Sequence, residues 1–205
     1  MGFDVYPIYG WNRPDKLTWV ADGVTQLLNY AGNRPVSAAI ETCKGSQWIT
    51  YERQHDVEPM HTRAEVWMAL IRGARSITYF THAWRPEFNE FAPTEEMRAE
   101  LKRLNGQISR LTPAICAPPT GRTVVVRMGG PDYHFMAHDC EGGLYVFAQN
   151  IDMEGRSGEA TVSVEGLEAG TSVEVVDEDR TITAGDGQFT DAFAPLAEHI
   201  YRIEL

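Results

Sequence analysis

The segment Val36-Ser37-Ala38-Ala39-Ile40-Glu41 places an acid at the end of a row of small residues. With the two-residue period of a strand, Val36, Ala38 and Ile40 share one face, and Ser37, Ala39 and Glu41 share the other. If the apolar row meets a helical layer and the small row faces the centre of a parallel barrel, Glu41 stands at the C-terminal mouth, where barrel enzymes keep their chemistry. The plainer alternative is a solvated acid that opens a loop. Cys43 follows on the same side of an extended strand, but no base flanks it, and the sequence presents it as a small inert thiol. His134 and His138 share a strand face beside Asp139 and Cys140. The better-known ligand arrangement has helical spacing, so no metal is assigned. No G-x-S-x-G, P-loop or G-x-G-x-x-G stretch occurs, which argues against a serine hydrolase, an NTPase and a dinucleotide enzyme. No cofactor is expected.

Positioning these residues requires elements whose pattern changes once along the chain. Before Pro113, short apolar runs alternate with amphipathic stretches. Phe3 to Ile8, Val36 to Ile40 and Ser76 to Thr81 read as strands, while Trp19, Val20, Val24, Leu27, Leu28 and Ala31 recur at helical spacing. Thr62-Arg63-Ala64-Glu65 has the pattern of a capping box, which predicts a helix opening there and running through Val66, Ala69 and Leu70 to a stop at Gly73. A further helix follows Pro93-Thr94, with Met97, Leu101, Leu104, Ile108 and Leu111 on one face. After Thr120 the spacing predicts short strands at Thr123 to Arg127, Tyr133 to His138, Leu144 to Gln149, Ala160 to Val164, Ser172 to Val176 and Ile200 to Leu205. Glu141-Gly142-Gly143 and Gly185-Asp186-Gly187 read as hairpin turns. Asp177 to Asp179 reads as a solvated turn. The fold class is therefore α/β plus all-β: three β/α units over 1–112, a linker at 113–120, and a small antiparallel β-sandwich over 121–205.

Composition bounds the partners. The 205 residues are 43% hydrophobic and 23% charged, the make-up of a globular chain. Eighteen Lys and Arg against 29 Asp and Glu give a formal charge of -11, which repels nucleic acid and anionic membrane surfaces, so neither is an expected partner. The longest apolar run, Val66 to Ile71, falls far short of the roughly 20 residues needed to cross a bilayer. The opening residues carry no export or lipidation pattern, so the sequence leaves the location unknown, with the cytoplasm as the default expectation. Cys43, Cys116 and Cys140 are odd in number and without C-x-x-C spacing, so neither a disulfide framework nor a zinc knuckle is expected.

Four segments together carry a resemblance: Phe3-Asp4-Val5-Tyr6-Pro7-Ile8, Pro35 to Glu41, Arg63-Ala64-Glu65-Val66-Trp67-Met68-Ala69-Leu70-Ile71-Arg72-Gly73-Ala74-Arg75, and Ile77-Thr78-Tyr79-Phe80. Over roughly residues 2 to 112 they resemble the last three β/α units of clan A glycoside hydrolases, which include β-galactosidase-like and endoglycanase members. The resemblance implies a partial TIM-type (β/α) barrel. It also implies that Glu41 matches the glutamate that ends the seventh strand and serves as nucleophile in a retaining O-glycosidase. Glu178-Asp179-Arg180, Gly187 to Asp191 and His199-Ile200-Tyr201 are similar to the trailing β modules of such enzymes. The family's general acid/base would lie upstream of Met1, outside this chain. Retaining hydrolysis needs two carboxyl groups about 5 to 5.5 Å apart, so the chain by itself is expected to be inactive or incomplete.

Around the expected mouth, Tyr6, Tyr9, Trp11, Trp48, His82 and Trp84 suit a carbohydrate, whose C–H faces pack on aromatic planes while its hydroxyls need polar partners. Each can equally be a packing aromatic. Three barrel strands leave sheet edges unpaired, so a missing barrel half or self-association into an oligomer is the expected partner besides the sugar. The alternative function is a non-catalytic carbohydrate-binding or structural module.

Overall fold

The computed structural model describes residues 1–205. The chain divides into two compact units, Met1–Gly106 and Gln107–Leu205.

In the first unit, β1 (Gly2–Asp4), β2 (Ser37–Glu41) and β3 (Ser76–Phe80) form a parallel sheet in that order. Parallel neighbours need a crossover, and α1 (Trp19–Ala31) and α2 (Pro59–Ile71) supply the two. Helix α1 packs on β1, β2 and α2, and α2 packs on β2. Gly23 permits the close approach of α1 to β1, because a Cβ at this position would collide with the Phe3 ring. The register aligns Gly2, Ser37 and Ser76 in one row, Asp4, Ala39 and Thr78 in the next, and Glu41 beside Phe80. These residues share a face by alternation, and Gly2, Asp4, Ser76 and Thr78 on it are exposed. Ala38 and Ile40, on the opposite face of β2, are fully buried.

Two boundaries differ from the sequence reading. The first strand ends at Asp4 rather than Ile8. Pro7 has no N–H to give a ladder, and the chain coils instead, with Gly10 N–H donating to Tyr6 O and Asn12 N–H to Ile8 O, both at 2.8 Å. Helix α2 opens at Pro59, three residues before the expected start, with Glu58 as its N-cap in a reciprocal capping box with His61. Thr62 and Glu65 therefore lie inside the helix, and both are buried. From Ala64 to Ile71 every residue of α2 is buried, as expected of a helix whose sequence there is apolar nearly all round.

Helix α3 (Glu95–Cys116) begins after Thr94, whose hydroxyl accepts the Met97 N–H at 3.2 Å. It continues through Pro113, so residues 113–116 of the expected linker are helical. The division between units falls within this helix.

The second unit is antiparallel. Strands β4 (Val124–Met128), β7 (Gly158–Val164) and β10 (Gln188–Phe193) form one sheet in the order β10-β7-β4. The other sheet has β5 (Tyr133–Cys140), β6 (Gly143–Asn150), β8 (Ser172–Val175), β9 (Arg180–Thr183) and β11 (Glu198–Glu204), in the order β5-β6-β11-β8-β9. One core joins them, with Val126, Val162 and Phe189 from the first sheet against Val146, Val173 and Tyr201 from the second. Glu141 (φ 51°) and Gly142 (φ 76°) close the β5-β6 hairpin, both in the left-handed region that a two-residue type I′ loop needs. The Gly185–Gly187 turn is not a hairpin, since β9 pairs with β8 and β10 with β7. It hands the chain from one sheet to the other.

Candidate functional site

Glu41 ends β2 at the centre of the parallel sheet, and its side chain is 0% exposed. Ile8 N–H donates to its Oε1 at 2.8 Å and Tyr9 N–H to its Oε2 at 2.5 Å. The Glu41 carbonyl accepts the Thr62 hydroxyl at 2.8 Å. One helical turn beyond Thr62 comes Glu65, also 0% exposed. The two carboxyl groups act on one another, yet neither Glu65 oxygen lies in hydrogen-bond geometry with a partner. Burial raises Glu41 from 4.5 to about 7, against the lowering pull of the Ile8 and Tyr9 amides and of Glu65. Burial first, then the charge of Glu41, pushes Glu65 well above the usual carboxylate range. Glu41, with an amide on each oxygen, is the member that holds charge, and Glu65 the member that keeps its proton. In this state Glu41 clamps the turn after β1. A nucleophile needs an open path to the reacting carbon, and Glu41 gains one only if Ile8 and Tyr9 withdraw.

The aromatic residues separate into two sets. Tyr6 and Tyr9 pack on Phe80, with ring centroids 4.8 and 4.9 Å away. His82 lies 5.5 Å from Phe80, Phe88 stacks 6.2 Å from His82, and Trp84 lies 4.9 Å from Phe88. These six rings make one row beyond the C-terminal ends of β1 and β3, buried or half-buried at the Tyr6–Tyr9 end and exposed at the other, where Trp84 and Phe88 keep 47% and 52% of their surface. Trp11 instead meets Trp19 edge to face, and Trp48 is exposed. Sequence reading missed Phe80, counted as a strand residue, and Phe88, in a loop without periodicity. The density of aromatics from Phe80 to Phe91 was the available signal.

Gly45 ties the loops of this site together. Its carbonyl accepts Trp84 N–H at 2.7 Å, Arg85 N–H at 3.0 Å and the Tyr9 hydroxyl at 3.4 Å. Gln54 Oε1 accepts the N–H groups of Gly45 and Ser46 at 2.8 and 3.0 Å. Cys43 is buried and its thiol is pushed up to about 11, by burial first. Beside Phe88 opens a cleft of about 660 Å³, lined among others by Lys44, Tyr51, Asp56, Arg85 and Asn89. Lys44 sits there 2.7 Å from Asp56 and 5.0 Å over the Tyr51 ring. Aromatic planes beside amide and charged groups can hold a polyhydroxylated ring by its apolar face and its hydroxyls together.

In the second unit, His134 pairs with Gln149 at 2.8 Å and His138 with the Ala114 carbonyl at 2.8 Å. No three His, Cys, Asp or Glu side chains gather as metal ligands. Arg180 is bidentate to Asp191, at 3.0 and 2.8 Å, and also bonds Glu178, which His199 approaches to 2.5 Å. The Tyr201 hydroxyl donates to Asp191 at 3.0 Å. The segments around Arg180, Asp191 and His199 thus meet in one network that links β10 to the other sheet.

No family model and no curated protein matches the sequence. Solved structures do match. An α-amylase from Geobacillus thermoleovorans, complexed with acarbose, aligns over 100% of this chain with a TM-score of 0.60 at 11% identity. An Anoxybacillus α-amylase aligns over 99% with a TM-score of 0.58 at 11% identity. A family 27 β-L-arabinopyranosidase from Geobacillus stearothermophilus, in complex with arabinose, aligns over 95% with a TM-score of 0.58 at 12% identity. The fold is one that glycoside hydrolases share. The chain spans just under half of each, at 48%, 47% and 43% of their lengths.

Proposed function

We propose that the chain is the C-terminal portion of a glycoside-hydrolase-like protein, with three β/α units of a TIM-type barrel followed by a β-sandwich, and that its own contribution is contact with carbohydrate. The observation that carries this reading is the row Tyr6, Tyr9, Phe80, His82, Phe88 and Trp84, set where barrel proteins keep their sites. The small polar face of the parallel sheet supports the barrel reading: such sheets are normally covered on both faces, and here one is exposed. A further barrel half covers it in this proposal and brings the general acid/base; another copy of the chain would cover the face without supplying that acid. Calorimetric titration with a panel of neutral oligosaccharides tests the reading. Binding should weaken at least tenfold in Trp84→Ala combined with Phe88→Ala, with the melting temperature unchanged. Absence of binding to any oligosaccharide at millimolar concentration would remove it.

A second reading makes Glu41 the nucleophile of a retaining O-glycosidase, favoured by its place at the end of the central parallel strand. It requires the Ile8–Tyr9 turn to release both carboxylate oxygens. A fluorinated glycoside with a good leaving group, supplied with the completed barrel, should then label Glu41. Unlabelled Glu41 under turnover conditions excludes this reading.

A further inference from the structure

Glu65 is a buried acid for which neither proposed role finds a use. It stands on a helix whose other residues from Ala64 to Ile71 are apolar and buried, and the group that acts on its carboxyl is the Glu41 carboxyl, although neither Glu65 oxygen is in good hydrogen-bond geometry. Ordinary packing disfavours such a group, since an unsatisfied buried carboxyl costs more than an apolar residue of the same size. Its neighbour, Glu41, has the opposite problem: two main-chain donors require an acceptor there. Thr62, one turn before Glu65 on the same helix, bonds the Glu41 carbonyl and fixes α2 against the end of β2.

We propose that Glu41 and Glu65 form a proton-sharing pair in which neutral Glu65 is a positioning residue, keeping Glu41 as the single buried charge that clamps the Ile8–Tyr9 turn, so that losing the shared proton releases the turn. The titratable groups of other segments that interact with the Glu41 charge are Tyr6 after β1 and Cys43 after β2. Both are acids whose protons are held more tightly by burial first and by the Glu41 charge as well. Such neighbours bring no positive charge to stabilise a second carboxylate. When the remaining proton leaves, two like charges face each other without water, which the fold relieves by letting solvent in at the turn. The turn carries Tyr9, and Trp11 follows it, so the aromatic site loosens with it.

Carboxyl-carbon NMR of the whole chain, labelled at glutamate, tests the pairing without any substitution. One of the two carboxyl groups should report the protonated form at pH 7; two ionised carboxyls at pH 6 would overturn the proposal. The turn is read by amide hydrogen exchange at Ile8 and Tyr9. After correction for the intrinsic pH dependence of exchange, protection should fall at least tenfold between pH 6 and pH 9 in the native protein. In Glu65→Gln, which mimics the neutral acid, it should stay constant. A merely structural role for Glu65 would shift protection equally at every pH. An identical pH profile in the native protein and Glu65→Gln would likewise refute the shared proton. Sugar affinity does not enter either readout, so failure here leaves the carbohydrate proposal standing.

Discussion

The main-chain N–H of Ile8 donates to Glu41 Oε1 at 2.8 Å, bridging 33 residues of sequence and tying the turn after β1 to the C-terminal end of β2. The Thr62 hydroxyl ties α2 to the same strand end. Strand end, preceding turn and following helix thus converge on one residue.

Thr62→Val keeps the shape of the side chain and removes its donor to the Glu41 carbonyl. A buried hydrogen bond of this kind contributes about 1 kcal/mol net, with more lost when the acceptor is left bare. Urea unfolding should show a destabilisation of about 1 to 2 kcal/mol with an unchanged denaturant slope. A neutral result would mean that α2 is not held to β2 through this contact.

The two units should respond to pH in opposite senses. Glu41 and Glu65 are both held above the usual carboxylate range, so the protons that this buried pair keeps on folding contribute fully below pH 4.5, and that contribution fades as pH climbs through about 7 and beyond. Asp191 is held down: burial alone would raise it, but the hydrogen bonds from Arg180 and Tyr201 and the charges of His199 and Arg180 outweigh that. Its contribution is present above pH 3.8 and is lost as pH falls through its lowered value. Local exchange protection across pH 3 to 9 should therefore weaken first around β10 in acid and first around β2 in base. A common pH dependence for both regions would contradict this.

Asp191→Asn leaves Arg180 and the fully buried Tyr201 with a weaker, uncharged acceptor. Hydrogen bonds to a charged partner contribute about 1.5 to 3 kcal/mol, and calorimetry should register a loss of about 2 kcal/mol in the second unit. A loss below about 0.5 kcal/mol would show that the network does little to hold β10 to the other sheet.

At Gly45 the backbone φ is +125°, and a Cβ would stand 2.5 Å from that of Ala83 and 2.9 Å from the Arg85 carbonyl. Gly45→Ala should cost about 2 to 4 kcal/mol through strain and overpacking. It should also displace the loop that carries Trp84, visible as a change in tryptophan fluorescence. Native-like fluorescence and stability would be incompatible with the tight approach of these loops.

Thiol labelling separates the cysteines. Cys116 is exposed, whereas Cys43 is buried with its thiol raised to about 11. Cys116 should react within minutes at pH 8, and Cys43 only at the rate of unfolding. Fast labelling of Cys43 in the native chain would mean that the end of β2 is open.

Periodicity made α1 and the strands β2 and β3 of the parallel sheet readable, because their burial is one-sided and the alternation survives in sequence. It failed where tertiary packing overrides local pattern. Thr62-Arg63-Ala64-Glu65 has every local mark of a helix start, and only the neighbouring β2 shows that the Thr62 hydroxyl instead bonds the Glu41 carbonyl from inside the helix. Strands β9 and β10 escaped for a different reason. Arg180-Thr181-Ile182-Thr183 and Gln188-Phe189-Thr190-Asp191 are largely polar, and the value of Arg180 and Asp191 to the fold lies in a partner eleven residues away. Glu41 was legible as a singular acid at a strand end. Its closure was not, since the groups that cover it are main-chain amides, which every sequence possesses.

That last property bears on how such a turn tolerates substitution. A carboxylate that grips N–H groups is indifferent to which side chains the gripped residues carry. Substitutions of the side chains at Ile8 or Tyr9 leave the two N–H groups, and so the seat of the turn, in place. The arrangement separates a main-chain fastening from the side chains it carries, so a change of side chain there need not disturb the turn.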